Sequence, residues 1–173
     1  SEKPKDVSGS VIISTVEGTR PMLLELQALV APTNFGMARR TSTGVDFNRV
    51  ALLLAVLEKR IGLQIQNQDV YINVVGGIKI NEPSIDLGIV IAVASSFRNI
   101  PIASDIVVTG EVGLTGEIRA VSYIEKRIAE CKKLGFKKIV IPRNNYEVVK
   151  DVKGIEIIPV DNLRQAINIV LRG

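Results

Sequence analysis

The fold is decided by one stretch near the middle of the chain, residues 76–98, which reads GGIKINEPSIDLGIVIAVASSFR. Its two glycines end an apolar run, a short polar loop follows, and Glu82, Pro83 and Ser84 then open a long helix. Proline is tolerated in a first helical turn because the N–H that it lacks has no partner there, and a carboxylate complements the positive helix end. Residues 87–94 are apolar on almost every face, so the helix is expected to be buried on most sides. The stretch therefore predicts a rigid but reachable helix entry, which is a suitable place for chemistry.

Composition favours an α/β domain of ordinary size. The chain has 173 residues, 46% of them apolar, but only 4% aromatic residues and no tryptophan, so the core must consist of Val, Ile, Leu and Ala. No apolar run is long enough to span a membrane without a charge or a glycine, and the N-terminus does not resemble a signal peptide, so no membrane partner is expected. The single cysteine, Cys131, excludes an internal disulfide and fits a reducing, cytoplasmic location.

The absence of histidine narrows the possible chemistry. It excludes Ser-His-Asp and Cys-His catalysis, and with one cysteine no metal site is expected. No G-x-x-x-x-G-K-[ST] loop is present, so ATP binding by that route is not expected either. The net charge of +4 and the pI of about 9.3 permit contact with nucleic acid but do not demand it.

The first two predicted strands form a hairpin, and the last half of the chain alternates strands with helices, which favours a parallel or mixed sheet. Residues 1–8 are polar and are predicted to be a linker, and residues 9–173 are predicted to form one domain. The predicted strands are 9–17, 22–30, 69–75, 106–108, 138–142 and 155–160, with a Gly-rich hairpin at 109–119. The other predicted helices are 47–61, 122–134, 144–152 and 162–171.

Loops and helix caps complete the prediction. Residues 31–40 are predicted to be a loop, which continues into a basic, hydroxyl-rich loop at 39–44. Thr43 or Asp46 is expected to cap the helix that follows, and Asp161 the last helix. On the helix 122–134, apolar and charged positions are assigned to opposite faces: Ile124, Ile128 and Cys131 inward, and Glu125, Arg127, Glu130 and Lys132 outward.

Several motifs, in their order and spacing, resemble one family. They are GTRP at 18–21, RRTSTGVDFNR at 39–49, NQDVY at 67–71, EPSIDL at 82–87 and GEVGLTGEIR at 110–119. Together they resemble the C-terminal, Lon protease-like domain of the RadA (Sms) family of bacterial DNA repair proteins. The helix entry, the hairpin and residues 124–142 also resemble the Lon proteolytic domain, whose α/β (α+β) fold is similar to the second domain of ribosomal protein S5. The resemblance covers nearly the whole chain and implies that fold.

The resemblance also implies what the rest of such a protein contains. Members of the family carry an N-terminal four-cysteine zinc finger and a RecA-like ATPase ahead of this domain, and neither pattern occurs in these 173 residues. The chain is therefore expected to be an excised C-terminal domain. The ATP, magnesium and zinc of a branch-migration helicase, which is an ATP hydrolase of recombinational repair, are expected in the missing parts.

Peptidase activity is not expected, on the residues that match the catalytic positions. In the Lon family a Gly-Pro-Ser-Ala-Gly motif carries the nucleophilic serine, and a later lysine is its base. A gapless match places Asp86 at the nucleophile position and Arg127 at the base position. A carboxylate does not replace a serine in peptide hydrolysis, and arginine cannot be deprotonated to act as a base. Asp86 and Arg127 are predicted instead to form a structural ion pair.

The alternative is an active Ser-Lys peptidase that uses Ser84, which follows a proline as the protease serine does, with Lys126 as a fallback base. That alignment needs two extra residues at the helix start, and neighbours on a helix point about 100° apart, so Lys126 is a poor substitute for residue 127. Without such a role, Ser84 is a helix N-terminal residue with its hydroxyl on the backbone.

The resemblance implies a scaffold that forms a homo-hexameric ring and holds single- and double-stranded DNA, with a RecA-type recombinase as a further partner. The predicted DNA contacts are Arg39 and Arg40 in a flexible loop, Arg49 in the following helix, and Lys79 after the glycines, as one basic surface. Alternatively, Arg49 pairs with Asp46 or Glu82, or the domain only oligomerises.

Base-specific readout is not expected, because there is no recognition helix and no aromatic stacking platform. Binding to DNA should be weak, backbone-directed and sensitive to salt. A second basic group, Lys132, Lys133, Lys137 and Lys138, is interpreted as a solvated helix end, where lysine is favourable.

Overall fold

A computed structural model describes residues 6–34 and 36–171, which contain both strands and helices. The strands are β1 Ser10–Glu17, β2 Arg20–Pro32, β3 Arg40–Thr43, β4 Gln68–Val74, β5 Ile106–Val108, β6 Glu111–Val112, β7 Ile118–Arg119, β8 Lys138–Pro142 and β9 Glu156–Val160. The helices are α1 Phe47–Val56, α2 Asp86–Arg98, α3 Ile124–Lys133 and α4 Leu163–Val170. The prediction of an α/β fold is confirmed.

A mixed seven-stranded sheet in the order β3-β4-β2-β1-β5-β8-β9 forms the centre of the molecule. β1 and β2 are an antiparallel hairpin, and β4 pairs with β2 in the antiparallel sense. The pairs β3–β4, β1–β5, β5–β8 and β8–β9 are parallel. β6 and β7 form a separate hairpin, as the glycines at 109–119 predict.

The central helix α2 is the most deeply buried element. Pro83–Ile85 form a 3₁₀ turn that leads into it, and each residue from 84 to 96 is buried. The helix lies against β1 and β2, with α1 and α4 beside it. At Gly88 the approach is so close that an added Cβ would stand 2.2 Å from Cγ2 of Ile13. A small residue is therefore needed where α2 crosses β1.

Two apolar clusters cover the two faces of the sheet. Residues of one strand alternate between them: Ile13 belongs to the larger cluster with α1, α2 and α4, and Ile12 belongs to the smaller cluster under α3. Cys131 of α3 is fully buried in the smaller cluster. No helix in the described part of the chain is long and apolar enough to cross a membrane.

Some predicted elements differ from those observed. The predicted loop at 39–44 is wrong, because Arg40–Thr43 form the edge strand β3, in parallel register with β4. The helix predicted at 47–61 continues beyond α1 as a π-helical turn, Leu57–Ile61, and ends at Gly62. The helix predicted at 144–152 is a 3₁₀ segment, Arg143–Val148.

Two predictions for caps and linkers also need comment. Asp46 caps α1, as one of the two predicted candidates, but the last helix is capped by Asn162 and not by Asp161, since the Asn162 side chain accepts from the N–H of Gln165 at 2.9 Å. Residues 1–5 of the predicted linker, Phe35 of the predicted loop, and residues 172–173 lie outside the described residues.

Candidate functional site

The entry of α2 is tied to the strands beneath it by backbone hydrogen bonds. The N–H of Gly110, just after β5, donates to the carbonyl of Ser84 at 2.9 Å, and the N–H of Leu87 donates to the carbonyl of Gly110 at 3.0 Å. This arrangement places Glu82, Ser84 and Asp86 between α1 and α3. Two arginines reach this entry, one from each helix.

Arg49 of α1 pairs with Asp86, the first residue of α2. The carboxylate is fully buried, and both of its oxygens are used: Arg49 Nε donates to Oδ1 at 2.9 Å, and Arg49 Nη2 and the N–H of Val112 donate to Oδ2. The hydrogen bond to Asp86 raises the pKa of Arg49, so the guanidinium stays charged. This bidentate pair joins α1, α2 and the β6–β7 hairpin.

Arg127 of α3 is buried completely and uses each nitrogen of its guanidinium. Nε donates to the carbonyl of Ser122 at 2.7 Å, Nη1 donates to the carbonyl of Ser14 at 3.0 Å and to Ser84 Oγ at 3.2 Å, and Nη2 donates to Glu82. The planar fork of arginine suits a site with several acceptors in fixed directions. Arg127 thus connects β1, the entry of α2 and the start of α3.

Glu82, the partner of Arg127, is held as a carboxylate by three donors, two from β1 and one from α3. It accepts from the N–H of Val16 at 2.7 Å and from Thr15 Oγ1 at 2.8 Å, in addition to Arg127. Burial opposes ionisation of this group, but the hydrogen bonds from Val16 and Arg127 outweigh it and lower the pKa of Glu82.

The predicted Asp86–Arg127 ion pair is wrong, because each residue has a different partner. The interpretation that Arg49 pairs with Asp46 or Glu82 is wrong as well: only its backbone N–H donates to Asp46, at 3.2 Å, as part of the cap. The prediction that Arg127 lies on the outward face of its helix is wrong too, because Arg127 is buried. We name Arg49, Glu82, Ser84, Asp86 and Arg127 the ion-pair cluster.

Ser84 and Lys126 are not joined by a hydrogen bond. The Ser84 side chain is buried, donates to the carbonyl of Ser14 at 3.2 Å and accepts from Arg127. Lys126 is exposed, and its Nζ donates to the carbonyl of Thr19 at 3.2 Å, on the turn between β1 and β2. The group that faces Ser84 Oγ is therefore a guanidinium, which cannot accept a proton.

The predicted DNA contacts lie in two places. Arg49 and Lys79 border two adjoining clefts, of about 430 and 350 Å³, that share Ile80, Asn81 and Glu82. Arg39 and Arg40 stand at the other end of β3, which rises by about 10 Å from Arg40 to Thr43, the end nearer in sequence to the Val45–Ile80 bridge. The structure does not bring the four cations into one cluster.

The four cations also differ in the hydrogen bonds and ion pairs that their side chains form. Arg40 donates to the carbonyls of Gln68 and Ile65 at 2.8 and 3.0 Å and pairs with Glu58 at 3.8 Å, and Arg49 is paired with Asp86. Arg39 and Lys79 are exposed, and among the described residues neither side chain takes part in an ion pair. Of the four cations, Arg39 and Lys79 are therefore the two that are exposed and form no ion pair among the described residues.

Comparison with known proteins agrees with this architecture. A family model described as subunit ChlI of Mg-chelatase matches residues 35–145, which contain the whole ion-pair cluster. The chain is 54% identical over 172 residues to DNA repair protein RadA of Bacillus subtilis (strain 168), and the aligned part is 99% of this chain and 38% of that protein. The chain belongs to the domain family of that model and is homologous to the C-terminal part of RadA.

Other relatives give the same picture. DNA repair protein RadA of Halalkalibacterium halodurans is 51% identical over 170 residues, with 98% of this chain and 37% of that protein aligned. For DNA repair protein RadA of Listeria monocytogenes the identity is 49% over 166 residues, with 96% and 36% aligned. The chain spans less than two fifths of the length of these RadA proteins. The predicted RadA resemblance is confirmed.

Within the ion-pair cluster, the sequence pattern places Arg127 on the wrong face of its helix and gives Arg49, Asp86 and Arg127 the wrong partners. The signal for Arg127 was present, since residues 124, 127, 128 and 131 follow the spacing of one helix face. The positive charge of Arg127, in contrast, favours the solvent-facing side of the helix. Among residues 6–34 and 36–171, no group of three or more His, Cys, Asp or Glu side chains is arranged to hold a metal ion.

Proposed function

We propose that this chain is a non-peptidase domain of a RadA-type DNA repair protein and that it contacts the DNA backbone. The observation that carries the first half is the position of Arg127, whose Nη1 lies 3.2 Å from Ser84 Oγ. A serine needs a neighbouring base to become a nucleophile, and the group beside this serine is a permanent cation. The buried hydroxyl is also closed to a substrate, since its residue is 2% exposed.

The proposal extends to the activity of the longer protein of which this chain would be a part. The chain would be the scaffold of an ATP-driven, branch-migrating hexamer in recombinational repair, located in the cytoplasm. ATP, magnesium and zinc would be bound by the other parts of such a protein, and a RecA-type recombinase would be a partner. The relatives are DNA repair proteins, which supports the repair context.

The DNA contact is assigned to Lys79 and Arg39. Both are exposed, and neither charge is compensated by an ion pair among the described residues. Arg40 and Arg49 instead hold β3 and α1 in place through their bonds to Ile65, Gln68 and Asp86. We expect phosphate contacts with little sequence preference, as cations on strand ends and loops provide.

The test is the salt dependence of DNA binding, measured by fluorescence anisotropy on single strands and duplexes. Lys79→Glu should weaken binding to both and make the plot of log affinity against log salt shallower by about one unit, because one phosphate contact is lost. Lys153→Glu is the control, since it reverses the charge of another exposed lysine outside both clefts. Equal losses for the two variants would contradict a specific contact at Lys79.

The same sample separates the other functions. Its mass in solution reports assembly, and an oligomer that binds no DNA at low salt would favour a pure oligomerisation module. Digestion of casein, with Ser84→Ala as the control, tests the peptidase alternative. We expect no digestion above the level of the Ser84→Ala protein, and a Ser84-dependent digestion would overturn the proposal.

A further inference from the structure

Tyr123 is exposed in a backbone conformation that a tyrosine seldom adopts. It precedes α3 with φ 56° and ψ 37°, in the left-handed region, and its side chain is 47% exposed. A bulky residue in this region is a genuine outlier, and such strain persists only where the surroundings impose it. Because the residue is only half-buried, burial and packing do not by themselves account for a strained, large aromatic residue at this position.

The surroundings do impose it, through two buried polar side chains. Arg127 Nε donates to the carbonyl of Ser122 at 2.7 Å, directly before Tyr123. Asn145 binds both backbone groups of Val121: the N–H of Val121 donates to its Oδ1 at 2.9 Å, and its Nδ2 donates to the carbonyl at 3.0 Å. The side chains of Arg127 and Asn145 therefore hold the backbone just before Tyr123, and the ring projects toward solvent from this held segment.

A cation lies beside the ring. Lys126 Nζ stands 5.5 Å from the centroid of the Tyr123 ring and also donates to the carbonyl of Thr19, in the turn that precedes Arg20. Arg20, the first residue of β2, is exposed, and none of the ion pairs among the described residues involves it or Lys126. Gly18 of the same turn lines the 350 Å³ cleft that Lys79 borders, together with Glu17 and Met22. The turn between β1 and β2 thus lies between Lys126 and the cleft of Lys79.

We infer that Tyr123 is a stacking residue for an unpaired nucleobase, with Lys126 and Arg20 as contacts for the adjoining phosphates. A rigid, exposed ring stacks on any base, and flanking cations follow the backbone, which is the combination that single-stranded nucleic acid requires. A base inside a duplex is already stacked on both sides, so the ring selects single strands. This inference rests on the proposed DNA contact and adds to it a discrimination between single and double strands.

The test compares a labelled oligothymidylate with a duplex of the same length, both bound to the 173-residue chain. Tyr123→Ala should lower the affinity for the oligothymidylate about 5- to 150-fold, the effect of losing one stacked base, and leave the duplex affinity unchanged within about 2-fold. Tyr123→Phe, which keeps the ring, should bind like the unaltered chain. Leu134→Ala is the control: it truncates another exposed apolar side chain, 54% exposed, next to the far end of α3.

Tyr123→Gly gives a readout that a structural role would not produce. Glycine adopts the left-handed conformation without strain, so the midpoint of thermal unfolding should rise by about 2–4 °C. The affinity for the oligothymidylate should nevertheless fall as it does in Tyr123→Ala. Greater stability with weaker binding is the signature of a residue kept for a ligand.

The outcomes are distinguishable from those of the proposed function. If Lys79→Glu weakens binding and the Ala and Gly variants of Tyr123 bind single strands normally, the stacking inference is wrong and the phosphate contact stands. If the unaltered chain binds neither strand form at low salt, both are wrong. An equal loss on single strands and duplexes in Tyr123→Ala would also overturn the inference, because a stacking contact is closed to paired bases.

Discussion

A single buried guanidinium organises the candidate site at the scale of residues. Arg127 donates to Ser14, Ser84, Ser122 and Glu82, which belong to three separate segments of the chain. Removing one partner of a buried ion pair leaves the other charge without compensation and is strongly destabilising. The cluster thus joins the entry of α2 to β1 and to the start of α3.

The ionisation of Glu82 should make stability depend on pH. Its pKa in the folded protein is lowered from 4.5, so its ion pair and hydrogen bonds contribute in full above that value and are lost as the pH falls through the lowered pKa. We expect the difference in unfolding free energy between the unaltered chain and Glu82→Gln to be constant from pH 7 to about 5.5 and to shrink below about 4.5. Urea denaturation at a series of pH values measures it.

A matched variant separates Glu82 from the other carboxylates that titrate in acid. Glu147→Gln removes an exposed carboxylate whose partner is Lys150, so it should change the pH profile little. A difference between the unaltered chain and Glu82→Gln that stays the same down to pH 3 would show that the charge of Glu82 is not what stabilises the fold.

Residue types predicted this site only in part. The pattern EPSIDL correctly indicates a helix entry with buried residues. The pairing could not be found in the same way, because two carboxylates and two arginines allow alternative pairs. Which pair forms depends on how α1 and α3 are placed around α2, and a sequence pattern carries no such angle.

Strand β3 shows, at the scale of elements, why a polar edge is hard to predict. Its sequence, RTST, has no apolar residue, and each of its flanking segments contains a glycine. Threonine has a favourable β propensity, but a short edge strand with one neighbour lacks the apolar alternation of a strand with a buried face. The opposite holds for β1, whose β-branched residues predicted it within one residue, and for α2, whose long apolar run predicted a buried helix.

The crossing of α2 over β1 gives a prediction about packing. Gly88→Ala should lower the free energy of unfolding by about 1–2 kcal/mol, because the clash with Ile13 exceeds the roughly 1 kcal/mol by which alanine favours a helix over glycine. An added Cβ at this position meets Ile13 Cγ2 at 2.2 Å. Equilibrium unfolding in urea measures the change.

The same substitution in an Ile13→Ala background isolates the contact. With the side chain of Ile13 removed, Gly88→Ala should become neutral or stabilising by up to about 1 kcal/mol, since only the helix preference remains. The Ile13→Ala change alone costs about 2–5 kcal/mol, so the comparison is made between the single and the double variant. An unchanged penalty in that background would place the strain elsewhere in α2.

The whole molecule consists of two apolar clusters on opposite faces of one sheet. β1 contributes to both, with Ile12 on one face and Ile13 on the other, and it lies in the middle of the strand order. The alternation of strands and helices predicted a parallel or mixed sheet, but not that β1 would pair with β5. That pairing depends on contacts between residues about a hundred positions apart, for which a single sequence gives no signal.

Cys131 reports whether the two clusters unfold together. It is the only cysteine, it is fully buried under α3, and burial raises the pKa of its thiol to about 12. A thiol in this state should not react with an alkylating reagent until the protein opens, since the thiolate is the reactive form. Because β1 is shared by both clusters, we expect one cooperative transition, in which pulse alkylation of Cys131 and far-UV circular dichroism give the same midpoint in urea.

Alkylation that begins at lower urea than the loss of dichroism would show instead that α3 and the strands β8 and β9 separate first. In that case Leu54→Ala, which alters the other cluster, would leave the alkylation midpoint unchanged.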